Sequence, residues 1–361
     1  MQIFFVLVTF MLVGAGCVTL GGKSQTQSGA SGMFVSVNKG ETWQSISAMP
    51  TATGVKNISD RSVYKLFTDP QDTSALYWAT PRNGFVFSYD EGRTWQQPAG
   101  DLQNGPIYSI AVHPNEKCTI FVTNGDKVFR TEDCNRSWEE MYRESRPNVR
   151  VASIVINPLS PYQIFMVESN GDLLESVDSG KSWSTIKRFE IELADIYADP
   201  LQKEVFYIAS KKDGLFRSLN TGATWESLGE TMNDYAKSNE YRRFLAHPEI
   251  SGRLYWISTY GILFSTDSGS TWNPISLITP PGSAQIYGFY VSPENDDEIY
   301  YTATIKDKTN SLERSTFYKS EDGGVRWITK RLPSGQLPTV LYVHPTKTDI
   351  LYLGFTIPPK R

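Results

Sequence analysis

Along most of this chain, apolar and polar residues alternate in short runs that come in pairs around a proline. The pairs are VYKLFTDP…ALYWATPRNG (63–84), IYSIAVHP…TIFVTNGD (107–126), VASIVINP…QIFMVESNGD (151–172) and LADIYADP…VFYIASKKDG (193–214). They continue with YRRFLAHP…RLYWISTYG (241–261), IYGFYVSP…EIYYTAT (286–304) and PTVLYVHP…ILYLGF (338–355). A period of two predicts half-buried strands. Proline has no amide to give a sheet, so Pro70, Pro114, Pro158, Pro200, Pro248, Pro293 and Pro345 mark the turns between strands A and B. A short third strand, such as Gly84-Phe85-Val86-Phe87 or Gly214-Leu215-Phe216-Arg217, follows most pairs.

After that third strand comes a recurrent box, clearest as STDSGSTW at Ser265 to Trp272. Its relatives begin at Ser36 (SVNKGETW), Ser88 (SYDEGRTW), Thr131 (TEDCNRSW), Ser176 (SVDSGKSW), Ser218 (SLNTGATW) and Ser320 (SEDGGVRW). The acceptor position reads Asn38, Asp90, Asp133, Asp178, Asn220, Asp267 and Asp322. There a side-chain oxygen is expected to take a backbone amide two residues on. Glycine, or Asn135 in its place, supplies a positive φ. A tryptophan then opens a fourth strand. The closing residues Trp43, Trp95, Trp138, Trp183, Trp225, Trp272 and Trp327 are spaced by about 42 to 55 residues, near the period of a propeller blade.

One unit is therefore strand A, a proline turn, strand B, a glycine turn, strand C, the box and strand D. Repeated seven times, it predicts an all-β seven-bladed β-propeller of four-stranded antiparallel blades. The chain opens with a box and its flanking strands (33–47) and closes with an A–B pair (338–355). One blade is thus expected to combine A and B from the C-terminus with C and D from the N-terminus, leaving no open sheet edge. The chain resembles the Asp-box (BNR-repeat) propellers over residues 33–361. That superfamily includes sialidases, two-propeller xyloglucan-cleaving hydrolases, the sortilin ectodomain and photosystem II assembly factors. The resemblance implies the fold, while function lives in sites grafted onto it.

The remaining composition, 40% hydrophobic and 20% charged with a formal charge of −4, fits a soluble β-rich head and gives no basic stripe for nucleic acid. The N-terminus changes the picture. Ile3 to Ala15 is an apolar run followed by Gly14-Ala15-Gly16-Cys17, as in a secretory signal. Small residues before a cysteine resemble the lipobox of bacterial lipoproteins. Here position −3 is Gly14 rather than leucine, and no Lys or Arg precedes the run. The expected organisation is a signal peptide (1–16), lipidated Cys17 with a flexible linker (17–32) and the propeller (33–361). An ordinary cleaved signal and an uncleaved anchor are the alternatives. Export to the cell envelope is expected, with the lipid as the only membrane contact. Val18 is not the aspartate of an inner-membrane retention signal, which favours the outer membrane in a cell that has one.

Candidate chemistry is sparse. His113, His247 and His344 each precede a marker proline in a different blade, so they read as turn residues rather than a metal site or triad. Cys118 and Cys134 fall on neighbouring strands of one blade, and a disulfide is expected in an exported protein. With the box turns and proline turns sharing one rim, a ligand is expected on the opposite rim. The acids there, Asp172, Asp213, Glu144, Glu190, Asp234, Glu240 and Asp307, read as solvated loop residues, with no pair singled out for glycoside cleavage. After strand B of the first blade the sequence is Ala79-Thr80-Pro81-Arg82-Asn83-Gly84, without the aspartate that the xyloglucan-cleaving relatives carry. The Phe/Tyr-Arg-Ile-Pro motif of sialidases does not occur.

What the opposite rim does offer is a basic and aromatic set: Arg82, Tyr142, Arg143, Arg146, Lys211, Lys212, Tyr235, Arg242, Arg243 and Tyr260, with Arg150 and Tyr241 beside them. Arginine and tyrosine are favoured in binding hot spots. Two connections, 226–240 and 305–315, exceed a tight turn. The expectation is a monomeric, non-enzymatic head that binds an envelope protein or glycan, as an assembly or scaffold factor. No cofactor, metal or nucleic acid is expected. The alternative is a glycoside hydrolase, which requires paired carboxylates in one opposite-rim pocket, and a passive structural protein requires neither feature.

Overall fold

The structure, a computed structural model, describes residues 29–306 and 312–357. The expected signal peptide, the lipidated Cys17 and the linker up to residue 28 lie outside the described residues, as does Asp307.

Strands form seven radial blades. In chain order, blade 1 holds Lys65–Thr68, Leu76–Ala79 and Phe85–Ser88, and blade 2 holds Ser109–Val112, Ile120–Thr123, Lys127–Thr131 and Glu139–Arg143. Blade 3 is Val151–Ile156, Ile164–Glu168, Asp172–Ser176 and Ser184–Arg188, and blade 4 is Leu193–Ala198, Phe206–Ser210, Leu215–Ser218 and Glu226–Ser227. Blade 5 is Tyr241–Ala246, Leu254–Ser258, Ile262–Ser265 and Asn273–Pro274, and blade 6 is Ala284–Val291, Ile299–Lys306, Leu312–Ser320 and Ile328–Lys330. Each set runs A to D, with strand A on the central channel. Blade 1 has only a bridge, Phe87 to Gln96, in place of strand D.

Blade 7 closes the ring. Leu337–Val343 and Leu351–Thr356 supply A and B, and Gly32–Ser36 and Gln44–Ser45 supply C and D. The seam pairs Gly32 with Phe355 and Ser36 with Leu351 in unbroken antiparallel register. Strand C of blade 7 thus has a strand on each side, and the two chain ends depend on each other.

The core is divided among the blade interfaces. Between blades 7 and 1, Met33, Ile58, Val63, Trp78, Trp95 and Tyr352 form one buried cluster, and an equivalent cluster fills each of the other interfaces. The box explains the joints. In the box at Ser265, the hydroxyl accepts the amide of Gly269 at 2.8 Å, and Asp267 accepts the amide of Thr271 at 2.9 Å and its hydroxyl at 2.6 Å. The aspartate therefore takes an amide four residues on, not two as expected, because the serine hydroxyl already serves the middle of the turn. Gly269 has φ +92°, and a Cβ there would lie 2.7 Å from Leu228 of blade 4. The box glycine is thus a contact with the preceding blade as well as a turn residue. Asn135, standing in for it in blade 2, sends its amide instead to the Tyr89 hydroxyl of blade 1 at 2.9 Å.

Boxes and proline turns share a rim, and the same amide joins them. Ser179 donates to the Tyr162 carbonyl, Thr221 to Glu204 and Ser268 to Gly252. In blade 2 this place is taken by the Cys118–Cys134 disulfide. All three histidines accept two backbone amides on Nδ1: Asn115 and Glu116 at His113, Glu249 and Ile250 at His247, and Thr346 and Lys347 at His344. The residue before Pro158 is Asn157, and that before Pro200 is Asp199; each accepts with Oδ1 in the same way. Histidine here imitates an Asx turn.

Two features depart from the sequence reading. Residues 48–57 form an added hairpin, Ala48–Thr51 with Gly54–Asn57, pinned by the buried Met49. The described ends of the stretch 305–315 are strand rather than loop: strand B of blade 6 runs to Lys306 and strand C begins at Leu312, pairing Ile305 with Arg314 and Lys306 with Leu312.

Candidate functional site: the channel mouth and the rim opposite the boxes

The A strands bring several polar residues together at the channel: Lys65, Ser109, Ser153, Asp195 and Arg243, with Ser109 and Ser153 3.4 Å apart. Lys65 Nζ of blade 1 reaches Asp195 Oδ2 of blade 4 at 2.6 Å. Asp195 also accepts the hydroxyls of Tyr197 at 2.8 Å and Tyr241 at 3.2 Å. Burial works to raise the Asp195 pKa, and the Lys65 charge together with the hydrogen bonds from Lys65, Ser153 and Tyr197 outweighs it, holding the carboxylate below its ordinary value. For Lys65 burial works downward, yet Asp195 keeps the ammonium pKa raised. The ion pair is a spoke across the channel. Arg243 donates to the carbonyls of Tyr287 at 2.6 Å and Thr339 at 2.8 Å, and among the described residues no carboxylate pairs with it.

Strand A starts at the rim opposite the boxes, so its first residues frame the channel mouth there. Tyr64 and Tyr108 meet edge to face at 6.2 Å, Lys65 sits 5.7 Å from the Tyr64 ring, and Arg150 lies 5.6 Å over the Tyr108 ring. Arg150 also approaches Glu192 at 3.6 Å, which carries the series from blade 1 to blade 4. Across the mouth Arg242 covers the Tyr287 ring at 5.6 Å. A Cβ on Gly125 would lie 2.8 Å from the Tyr108 ring, so glycine lets that ring lie against the turn. Rings and guanidinium groups in alternation offer both stacking surface and cationic charge.

Beside the mouth, between blades 2 and 3, one guanidinium gathers three carboxylates. Arg146 bonds Glu144 Oε2 at 2.6 Å, Asp172 Oδ2 at 2.7 Å and Glu168 Oε2. The Tyr142 hydroxyl donates to Glu144 at 3.1 Å and Glu168 at 2.9 Å. Glu168 is fully buried; burial first, then the neighbouring Glu144, push its carboxyl up to about 7. Arg146 holds Glu144 well below the usual carboxylate range. Asp172, despite burial, is lowered by Arg146 and Asn170.

The sequence-selected residues therefore scatter. Tyr142 and Arg146 meet in this clasp, whose acids Glu144 and Asp172 are buried, not solvated as expected. Arg143 points away, paired with Glu140 at 2.7 Å. Arg242 and Arg243 reach the mouth and channel. Lys211 and Lys212 are exposed in the B–C turn of blade 4, where the Lys211 amide bonds the Glu192 carbonyl. Arg82 is exposed in the blade 1 turn. Tyr235 and Tyr260 pack on each other at 5.2 Å, and the Tyr235 hydroxyl is spent on the Trp272 carbonyl. Tyr260 borders a cavity of about 400 Å³ with Pro274, Pro280 and Pro281. The sequence reading passed over Tyr64, Tyr108, Tyr287 and Glu168. The signal for Tyr64 and Tyr108 was their place directly before strand A; Glu168 carried none, because it reads as the last position of a buried strand.

Neither a protein family nor a curated protein matches the sequence. Among solved structures the fold is similar to a GH74 xyloglucanase from Xanthomonas campestris, with TM-score 0.62 and 15% identity over 82% of this chain and 51% of that one. It is similar to YCF48 bound to a D1 peptide, with TM-score 0.59 and 16% identity over 82% of this chain and 94% of that one. YCF48 from Cyanidioschyzon merolae gives TM-score 0.58 and 14% identity over 82% and 95%. The chain thus spans about half the xyloglucanase and nearly all of YCF48. At these identities the likeness is one of fold: this chain is a seven-bladed β-propeller, as they are.

Proposed function

We propose that this propeller is a non-enzymatic binding head that takes an extended, acidic segment of an envelope protein or glycan across the channel mouth. The observation that carries the reading is the Lys65–Tyr64–Tyr108–Arg150 series, faced by Arg242 on Tyr287. Lys211 and Arg243 add positive charge to the series, against Glu192, Asp195 and Glu240, the last accepting the Thr259 hydroxyl beside Arg242. The box turns support a reading as an Asp-box propeller, and the N-terminal sequence supports a lipid tether at the envelope. Of the similar structures, YCF48 matches in single-propeller length and is described as bound to a peptide.

A second reading, glycoside hydrolysis, has one observation in its favour, the Glu144–Glu168 pair. Both acids share the Arg146 guanidinium and the Tyr142 hydroxyl, and Glu168 has no exposed surface, which leaves no face for a sugar. Retention on poly-L-glutamate or polygalacturonate, lost in Y108A/R150A, with no reducing-end release from a polysaccharide panel, is the expected result. Turnover abolished by E168Q would replace binding by hydrolysis.

A further inference from the structure

The clasp and the mouth are built on the same two turns. Glu144 and Arg146 lie in the connection that leads from strand D of blade 2 into Arg150, and Glu168 and Asp172 lie at the ends of the B–C turn of blade 3. Ser169, next to Glu168, fixes Arg150 twice: its hydroxyl accepts the Arg150 amide at 3.1 Å, and its own amide donates to the Arg150 carbonyl at 2.9 Å. The connection is otherwise held by the Glu144 amide on the Asp126 carbonyl, the Arg146 amide on Glu144 Oε1 and the Val149 amide on the Arg146 carbonyl at 3.4 Å, and beyond it the Val151 amide donates to the Gly125 carbonyl at 2.8 Å. Arg146 is thus the charged side-chain tie between residues 144–149 and the turn, beside the two Ser169–Arg150 bonds that hold the end of the connection.

The charges in the clasp do not balance when every acid is ionised. Facing Glu168 are Tyr142 from strand D of blade 2, Glu144 and Arg146 from the connection, and Asp172 and Asn170 from its own turn, with Arg188 of blade 3 at 3.4 Å from Asp172. Two guanidinium groups then confront three carboxylates, one of them fully buried. A proton on Glu168 removes the excess. Burying an uncompensated charge is costly, so loss of that proton favours a state in which water reaches the clasp.

We propose that Glu168 is a pH-responsive pin for the binding mouth: protonated, it keeps the Arg146 clasp closed and Arg150 set over Tyr108, and ionised, it releases the connection 144–149. The proton goes to solvent, no other covalent bond changes, and the bonds that rearrange are those of Arg146 to Glu168 and Asp172. This role rests on the channel mouth being the binding surface. The direction follows from the carboxyl being raised to about 7: the folded state binds the proton more tightly than the unfolded chain. The contribution is complete below the ordinary glutamate value and is lost as pH rises through about 7.

The test is hydrogen exchange of the full chain, read by mass spectrometry over residues 144–151 at pH 6 and pH 8 and corrected for the intrinsic rate. The ionised fraction of a group titrating near 7 rises from about a tenth to about nine tenths over that interval. Protection of 144–151 in the wild type is therefore expected to fall by about tenfold, while residues 241–246 keep theirs. E168Q stays protected at both pH values, and R146Q is open at both. Wild-type protection that does not change with pH overturns the pin, as does an E168Q chain that opens like the wild type. Retention on poly-L-glutamate at pH 6 is scored separately. Its absence with the exchange behaviour intact refutes the mouth and spares the pH-dependent clasp; pH-independent exchange with retention intact refutes the pin alone.

Discussion

Breaking the spoke between Lys65 and Asp195 should unbalance the whole ring. The two residues are separated by 130 positions and bind blade 1 to blade 4 through the channel at 2.6 Å, with side chains 22% and 6% exposed. D195L leaves Lys65 buried without its counter-charge, a change that typically costs about 3 to 5 kcal/mol. K65M leaves Asp195 with the Tyr197 and Tyr241 hydroxyls, so its cost should sit at the lower end, about 3 kcal/mol. In K65M/D195L no charge remains, and the two tyrosine hydroxyls still bond each other at 2.6 Å. An apolar pair of similar volume is often neutral or stabilising, so the double variant should return to within about 1 kcal/mol of the wild type. Urea unfolding followed by circular dichroism, run as a double-mutant cycle, gives the coupling directly. Costs that simply add, within about 0.5 kcal/mol, would refute the buried pair; single costs below about 1 kcal/mol would make it no better than a surface contact.

The histidine turns predict a loss of stability in mild acid. Burial lowers all three pKa values, so the unfolded chain takes the proton first; stability is complete above about 6.5 and falls as pH drops through the folded values. H247N, which copies Asn157, should keep stability at pH 7 and remove that histidine's share of the acid sensitivity in a pH series of urea midpoints. Reducing the Cys118–Cys134 disulfide frees a loop of sequence separation 16 and should cost about 3 kcal/mol; an unchanged midpoint under reductant would refute the contribution. Deleting residues 338–361 removes most of strand A and all of strand B from blade 7, and should abolish cooperative unfolding of the remainder; a stable truncated ring would contradict the shared blade.

The local rules wrote themselves plainly into the sequence. Alternating runs, marker prolines and boxes each act within a few residues, so the seven repeats and the split blade could be read from spacing alone. Even the histidines were legible, since His-Pro and Asn157-Pro158 do the same turn work. The added hairpin at 48–57 was not, because Gly54–Asn57 is exposed throughout and has no apolar period. The strand ends at Lys306 and Leu312 were missed because the run 305–315 has no apolar alternation to mark them.

The site belongs to a different order of information. Which strand-A residues oppose each other depends on ring closure, and nothing local tells Lys65 that Asp195 lies across the channel. Glu144, Arg146, Glu168 and Asp172 converge because a connection from one blade crosses a turn of the next. Sequence by itself determined the repeat and its turns, since hydrogen-bonding rules of short range fix both. Only the closed tertiary structure decided which charges are buried together, and with that the mouth, the spoke and the clasp, because desolvation and charge pairing depend on distance in space and not along the chain.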